Sequence, residues 1–263
     1  MEIDLNELAE KSGENSVKQV PRFVVPTIRL QGKRGVFEKT TFDSERNAER
    51  VEMKEKEIQG VMLKVRRLAS ALTTDGLIVK ERLFTNEHNT WRDKVTLFQS
   101  VKGAQGWNTQ MIDEGTTKEL KVKYPNLKVK QPIFFLLYPS KEVIKLEVKG
   151  KGLSNLYPYW KEFASNEHIF QFISKVCIEE KESPLGPYYA MTFEKGDKVA
   201  DGEELELVAK NILEIADNIE RVESYYAEYT PSEDKEITEE EIPVIDEDEP
   251  IDDEEPNMDE IPF

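Results

Sequence analysis

Cysteine is almost absent from this chain of 263 residues: Cys177 is alone, and the histidines number two, His88 and His168. One thiol excludes an internal disulfide framework and a cysteine-rich zinc site. A reducing cytoplasm fits that usage. Neither histidine has a cysteine or a second histidine at ligand spacing, so both read as surface or strand residues. Long apolar runs are also missing. The longest, Ile133 to Tyr138, suits a buried strand and falls far short of a membrane span. The stretch Met1 to Ser16 is acidic and polar, without the apolar centre of a secretory leader. Catalytic motifs are equally scarce. Gly150-Lys151-Gly152 and Gly32-Lys33-Arg34-Gly35 are too short for a phosphate loop, and no Gly-x-Ser-x-Gly elbow occurs. Cys177 falls in an apolar stretch, where a thiol is buried rather than activated. The expectation is a protein that is not an enzyme, with no metal and no cofactor.

Charge of one sign is abundant at one end. From Pro231 onward sixteen residues are Asp or Glu and one is Lys, so this segment carries −15 of the chain's net −17. The low pI belongs to the tail, and residues 1–230 are nearly neutral. A segment of mutually repelling acids, interrupted by prolines and poor in apolar surface, cannot offset its ordering entropy. Residues 231–263 therefore read as a disordered, solvated interaction tail. Its end differs from its middle. Met258, Ile261 and Phe263 are apolar, and Phe263 carries the terminal carboxylate. A small apolar pocket beside an Arg or Lys could take the ring and pair the carboxylate.

This ending resembles the C-terminal tip of bacterial single-stranded-DNA-binding proteins and their phage counterparts, in which a disordered acidic tail closes on acids followed by Ile-Pro-Phe. Asp259, Glu260, Ile261, Pro262 and Phe263 carry the match. Asn257-Met258 interrupts the acidic run, and a Glu rather than an Asp precedes the Ile. The resemblance covers about the last six residues, or the 33 of the whole tail, and no motif of the body aligns with that family. It implies that the tip recruits partner enzymes of replication and repair: helicases, nucleases, primases and polymerase-associated subunits.

The body spans residues 21–230, behind a flexible arm at 1–20. Arg22 to Leu30 reads as a strand, with Pro26 marking an edge or bulge. Gly32 to Gly35 is a turn, and Val36 to Phe42 is the return strand. A long helix is expected after a cap at Asp43 or Ser44, with Val51, Ile58, Val61, Met62, Val65, Leu68, Ala69 and Leu72 on its stripe and Thr74-Asp75-Gly76 at its end. Gly76 to Thr85 and Trp91 to Gln99 are strand-like, and Ser100 to Thr117 reads as a long loop. Leu120, Val122 and Tyr124 alternate with lysines, Leu127 and Val129 continue that alternation, Ile133 to Tyr138 is a buried strand, and Val143 to Lys149 alternates again. A short helix at Leu153 to Ala164 needs Pro158 near its start. Ile169 to Glu179 and Tyr188 to Phe193 are strands, and Glu203 to Tyr226 is a second long helix. Over 118–193 the order is then three strands, a helix and two strands, which is the OB order. The fold class expected is α+β: a β-rich OB-like barrel with two long helices and the disordered tail.

Binding to single strands needs cations for phosphates and aromatic faces for bases, each stacked base contributing about 1–3 kcal/mol. Residues 118–151 hold nine lysines against three acids. Lys121, Lys123, Lys128, Lys130, Lys149 and Lys151 come from this cluster, with Tyr124 beside Lys123. Trp91-Arg92 with Lys94, Arg82 beside Phe84, Lys33-Arg34 near Phe37, and Trp107 in its Gly-rich surroundings interleave rings with charge in the same way. The expectation is sequence-independent single-stranded DNA binding in replication, recombination and repair, in the cytoplasm of a bacterium or of a phage host. Alternatives are a strand-annealing recombination mediator and an adaptor that binds no DNA and displays an acidic docking peptide. No membrane partner is expected, and homo-oligomers remain open.

Overall fold

The computed structural model describes residues 24–42, 48–75, 78–103, 106–184 and 186–228. The arm at 1–20 and the acidic tail lie outside the described residues. Twelve strands share one open sheet: β1 (Thr27–Gln31), β2 (Val36–Phe42), β3 (Ala48–Glu52), β4 (Glu57–Val65), β5 (Leu68–Asp75), β6 (Ile78–Thr85), β7 (Lys94–Gly103), β8 (Gly106–Thr116), β9 (Lys128–Tyr138), β10 (Val143–Lys149), β11 (Phe172–Ser183) and β12 (Gly186–Lys198). Among the described residues three α-helices accompany them: α1 (Thr117–Lys123), α2 (Lys151–Trp160) and α3 (Glu203–Glu228).

The sheet forks at β9. Along one edge β9 pairs antiparallel with β10, which pairs in parallel with β1, and β2 and β3 follow. Along its other edge Ile133 to Tyr138 pair with β4, while Lys128 to Lys130 pair with β5. The Arg66-Arg67 break between β4 and β5 falls at the fork, where the Arg66 N–H donates to the Pro132 carbonyl at 2.9 Å. One branch continues through β4 to β11 and β12, the other through β5 to β6, β7 and β8.

Alternation along β9 creates two cores. Val129, Ile133, Phe135 and Leu137 point inward with Ile28, Met62, Leu146, Val176 and Met191, and α2 adds Leu153, Leu156 and Tyr159. Phe134 and Leu136 point outward with Val61 and Leu63, under Val208 and Ile215 of α3. Fully buried side chains of this size contribute about 1.5–3 kcal/mol each. Ion pairs hold both ends of α3: Lys141 Nζ to Glu204 Oε1 at 2.7 Å, and Arg66 to Glu223.

Several expectations give way. Within the region expected as a helix over 43–72, the described residues from 48 onward form β3, β4 and the start of β5, and the caps expected at Asp43 or Ser44 lie outside the described residues. Ile58 and Met62 face one core while Val61 and Leu63 face the other, and a strand buried on both faces has the unbroken apolar content of a buried helix. One long helix is therefore present among the described residues instead of two. Leu120 to Lys123 belong to α1, with Tyr124 as its C-cap, and form no strand. Thr116 accepts from the Glu119 N–H while the Glu119 carboxylate accepts from the Thr116 N–H, a capping box. Leu120 is buried and Val122 is 79% exposed, so strand-like burial does not occur. The loop expected over Ser100 to Thr117 holds, within the described residues, the end of β7, all of β8 and the first residue of α1, with Ile112 of β8 packed against the inner core. Pro158 stands near the end of α2, where the Lys161 N–H closes on its carbonyl at 3.0 Å. The order from 118 to 193 is a helix, two strands, a helix and two strands. The sheet is also no closed barrel. β12 approaches the β1–β2 turn through the Tyr189 N–H, which donates to the Gly32 carbonyl at 2.8 Å, and among the described residues no ladder joins β12 to β1.

Candidate nucleic-acid interface

Residues directly opposite in a sheet share a face. Along the outer face, register runs Lys149–Lys130–Leu68 across β10, β9 and β5. The next row is Lys128–Ser70–Phe84–Phe98–Met111, from β9 to β8. The third is Leu72–Arg82–Ser100–Thr109, from β5 to β8. At the far end of the β7–β8 hairpin Lys102 is opposite Trp107. Four cations expected for phosphate contact, Arg82, Lys128, Lys130 and Lys149, therefore meet on one face although they come from three different strands. The reverse face of the same hairpins carries a different chemistry: Gln99 donates to Glu81, and Gln110 donates to Gln99 at 3.1 Å.

Phe84 and Phe98 are stacked, with ring centroids 5.5 Å apart and 23° between planes. Phe98 is 6% exposed and forms the backing, and half-buried Phe84 is the outer ring. Lys128 is exposed, Lys149 is half-buried, and Met111 is 42% exposed at the end of the same row. Lys130 is buried against Glu147, Nζ to Oε1 at 3.3 Å. Burial alone would raise the Glu147 carboxyl, but Lys130, Lys149 and Arg29 hold it below the ordinary carboxylate range. The acid thus stays ionised beneath the lysines. Lys121 of α1 lies close to this face. Burial and then the charge of Lys128 depress its ammonium. Crowded cations of this kind favour a bound anion.

The remaining candidates lie elsewhere. Trp91 is 5% exposed, with the Arg67 guanidinium 5.4 Å above its ring and His88 edge-on at 5.5 Å, so its faces are not available to a base. Arg82, at 4% exposed, sits within the face rather than on it. Arg92 and Lys94 are exposed near the start of β7, away from the rows. Lys123 pairs with Asp113 at 2.9 Å, and Tyr124 packs against the inner core. Lys33 and Arg34 occupy the β1–β2 turn, where Arg34 pairs with Glu52. Lys151 opens α2. Trp107 holds its register position, and its side chain lies outside the described residues, as do Asp259, Glu260, Ile261, Pro262 and Phe263.

Sequence reasoning missed Phe98, which hides in the apolar stretch Val95 to Phe98. Its signal was positional: two residues before Ser100, on the strand that pairs with Phe84. His88 and Cys177 lie apart from these rows. His88 is buried, with Nδ1 3.2 Å from the Asn86 carbonyl and Nε2 3.2 Å from Thr117 Oγ1. Cys177 is half-buried, its thiol pushed up to about 11 by burial and by Glu57. Among the described residues no cluster of His, Cys, Asp or Glu is arranged to hold a metal, and no helix is long and apolar enough to cross a membrane. No family model, curated protein or solved structure matches this chain.

Proposed function

We propose that the protein binds single-stranded DNA without sequence preference and recruits replication, recombination or repair enzymes through its acidic tail. The observation that carries this reading is the outer sheet face, where strand register gathers Lys149, Lys130, Lys128 and Arg82 around the Phe84–Phe98 stack. Cations along a face with an aromatic platform among them suit a phosphate backbone whose bases are free to stack. Nothing in such a face reads base edges, so affinity follows charge and stacking.

Connectivity supports the same reading. The bent β4–β5 strand, β9, β10, α2, β11 and β12 follow one another in the OB order, with the first strand paired to both the second and the fourth. On that comparison β9 and β10 stand where OB folds present their oligonucleotide face, and β6 to β8 extend the connection between the first two strands. The tail contributes Ile261, Pro262 and Phe263 as a docking peptide, with the acids before them raising encounter rates with basic partners.

Fluorescence anisotropy of labelled oligo-dT and of a matched duplex tests the reading. Full-length protein is expected to bind the single strand more tightly than the duplex, with strong salt dependence. Absence of binding even at low salt overturns it in favour of the adaptor. A chain lacking Phe263 is expected to keep its DNA affinity and to lose association with purified partner enzymes.

A further inference from the structure

Three strand edges end the sheet among the described residues, and they are protected unequally. β3 is five residues long and carries Glu49, Arg50 and Glu52. β12 contains Pro187 and is tied at Tyr189 to the β1–β2 turn. β8 has neither device. It is eleven residues long, it is the last strand of its branch, and from Gly106 to Ile112 it has no charge and no proline. Long uncharged edges are templates for another strand, and soluble proteins normally blunt them.

We propose that two copies of the chain pair antiparallel through β8, about a two-fold axis near Thr109. Self-pairing suits this edge for two reasons. Its middle is neutral, so a second copy meets no like charge there. Its ends are of opposite sign: exposed Glu114 lies at one and exposed Lys102 flanks the other, and antiparallel pairing turns each copy's Glu114 towards its partner's Lys102 end. Exposed Met111 is covered in the same step. The axis is normal to the sheet, so both outer faces point the same way. The Leu72–Arg82–Ser100–Thr109 row of one copy then continues into that of the other, and Met111 of each copy falls opposite position 107 of its partner. This pairing stands on the strand edge and is independent of DNA binding; the doubled face deepens the proposed function.

Sedimentation velocity of the full chain without DNA, over a hundredfold concentration range, tests it. Wild type is expected at the mass of two chains. Asn108→Lys with Gln110→Lys puts four like charges around the axis and is expected to give one chain. Ala48→Lys with Val51→Lys on β3 is expected to remain dimeric. A monomeric wild type, or a dimeric β8 variant, overturns the proposal. A spin label at Asn108→Cys in a Cys177→Ser background avoids dependence on the lysine variant's folding. Paired β8 strands bring two labels within about 20 Å, since neighbouring strands lie about 4.8 Å apart. No such distance in the concentrated protein also overturns the pairing. Neither measurement contains DNA, so a failure of the dimer and a failure of DNA binding are separately visible.

Discussion

Lys128 and Lys149 should set the salt dependence of DNA binding, while Phe84 should set its strength at any one salt. The two lysines flank the outer face, one exposed and one half-buried, and each can reach a phosphate without disturbing a core. On single strands each neutralised phosphate contributes about −0.7 to the slope of log K against log salt. Lys128→Ala with Lys149→Ala should therefore flatten that slope by about 1.4. Between 50 and 200 mM salt the double variant should lose about sevenfold less affinity than wild type does. Phe84 makes a different contribution. Its ring lies over Phe98 at 5.5 Å, and a base stacked on it is worth about 1–3 kcal/mol, or about 5- to 150-fold in affinity. Phe84→Leu keeps apolar bulk on Phe98 and removes the π-face, so it should weaken binding at every salt without changing the slope. Anisotropy titrations of oligo-dT at four or five salt concentrations separate the two effects. An unchanged slope in the lysine variant, with an unchanged melting curve, would show that phosphates lie elsewhere. Equal affinity of Phe84→Leu would remove the stacking platform.

Gly60 of β4 has no room for a side chain: a Cβ there would lie 2.2 Å from the Leu136 carbonyl oxygen and 2.5 Å from the Phe135 ring. Gly60→Ala must push β4 off β9 and should cost at least about 1–3 kcal/mol, read as a lower midpoint in urea. His88 makes stability depend on pH. Burial, followed by the nearby charges of Arg67 and Arg66, depresses its imidazolium below the ordinary value of 6.5, despite help from the Asn86 carbonyl and Asp93. The unfolded chain therefore binds the proton first as pH falls. This contribution to stability is complete above about pH 7.5, and it is lost as pH drops through 6.5 towards the folded value. Urea midpoints of wild type should fall between pH 8 and pH 5.5, and His88→Gln should lose less over that interval. A wild type with identical midpoints at both would refute the assignment.

Legibility in the sequence followed one-sidedness. β10 and α3 each bury one face more deeply than the other, and their periods are readable from residues alone. β4 is buried on both sides, so its apolar residues imitate a helix stripe. α1 shows the reverse error, since Leu120, Val122 and Tyr124 alternate like a strand while Thr116 and Glu119 spell a cap that decides for a helix. The start of β7 was readable, with Val95 and Leu97 buried in the inner core, whereas its end and β8 were silent because Val101, Lys102, Asn108, Gln110 and Met111 are exposed and impose no alternation. The site divided in the same way. Lys128, Lys130, Lys149 and Arg82 were visible by type. Their meeting on one face depends on pairings between residues far apart in the chain, such as Lys149 with Lys130 and Ser70 with both Lys128 and Phe84. Trp91 shows the limit of residue type: nothing nearby in sequence signals that Arg67 and His88 enclose its ring.

The division of labour within β9 explains why the basic face and the helix can share one side of the sheet. Its outward positions change character along the strand: Lys128 and Lys130 at the start, Phe134 and Leu136 further on. α3 settles where those positions are apolar and is held there by Lys141–Glu204 at one end and Arg66–Glu223 at the other. Shifting α3 towards the start of β9 would bury Lys128 beside Lys130 and Lys149, whose nearest acid in this group, Glu147, is already engaged. Taking a further ammonium out of water in this crowd of cations costs several kcal/mol after relaxation. The helix is therefore excluded from the rows by the same lysines that make them attractive to phosphate. In the other direction, the proposed DNA strand would gain nothing over Phe134 and Leu136, where α3 already covers the sheet. One strand thus fixes both the resting place of the helix and the boundary of the basic face.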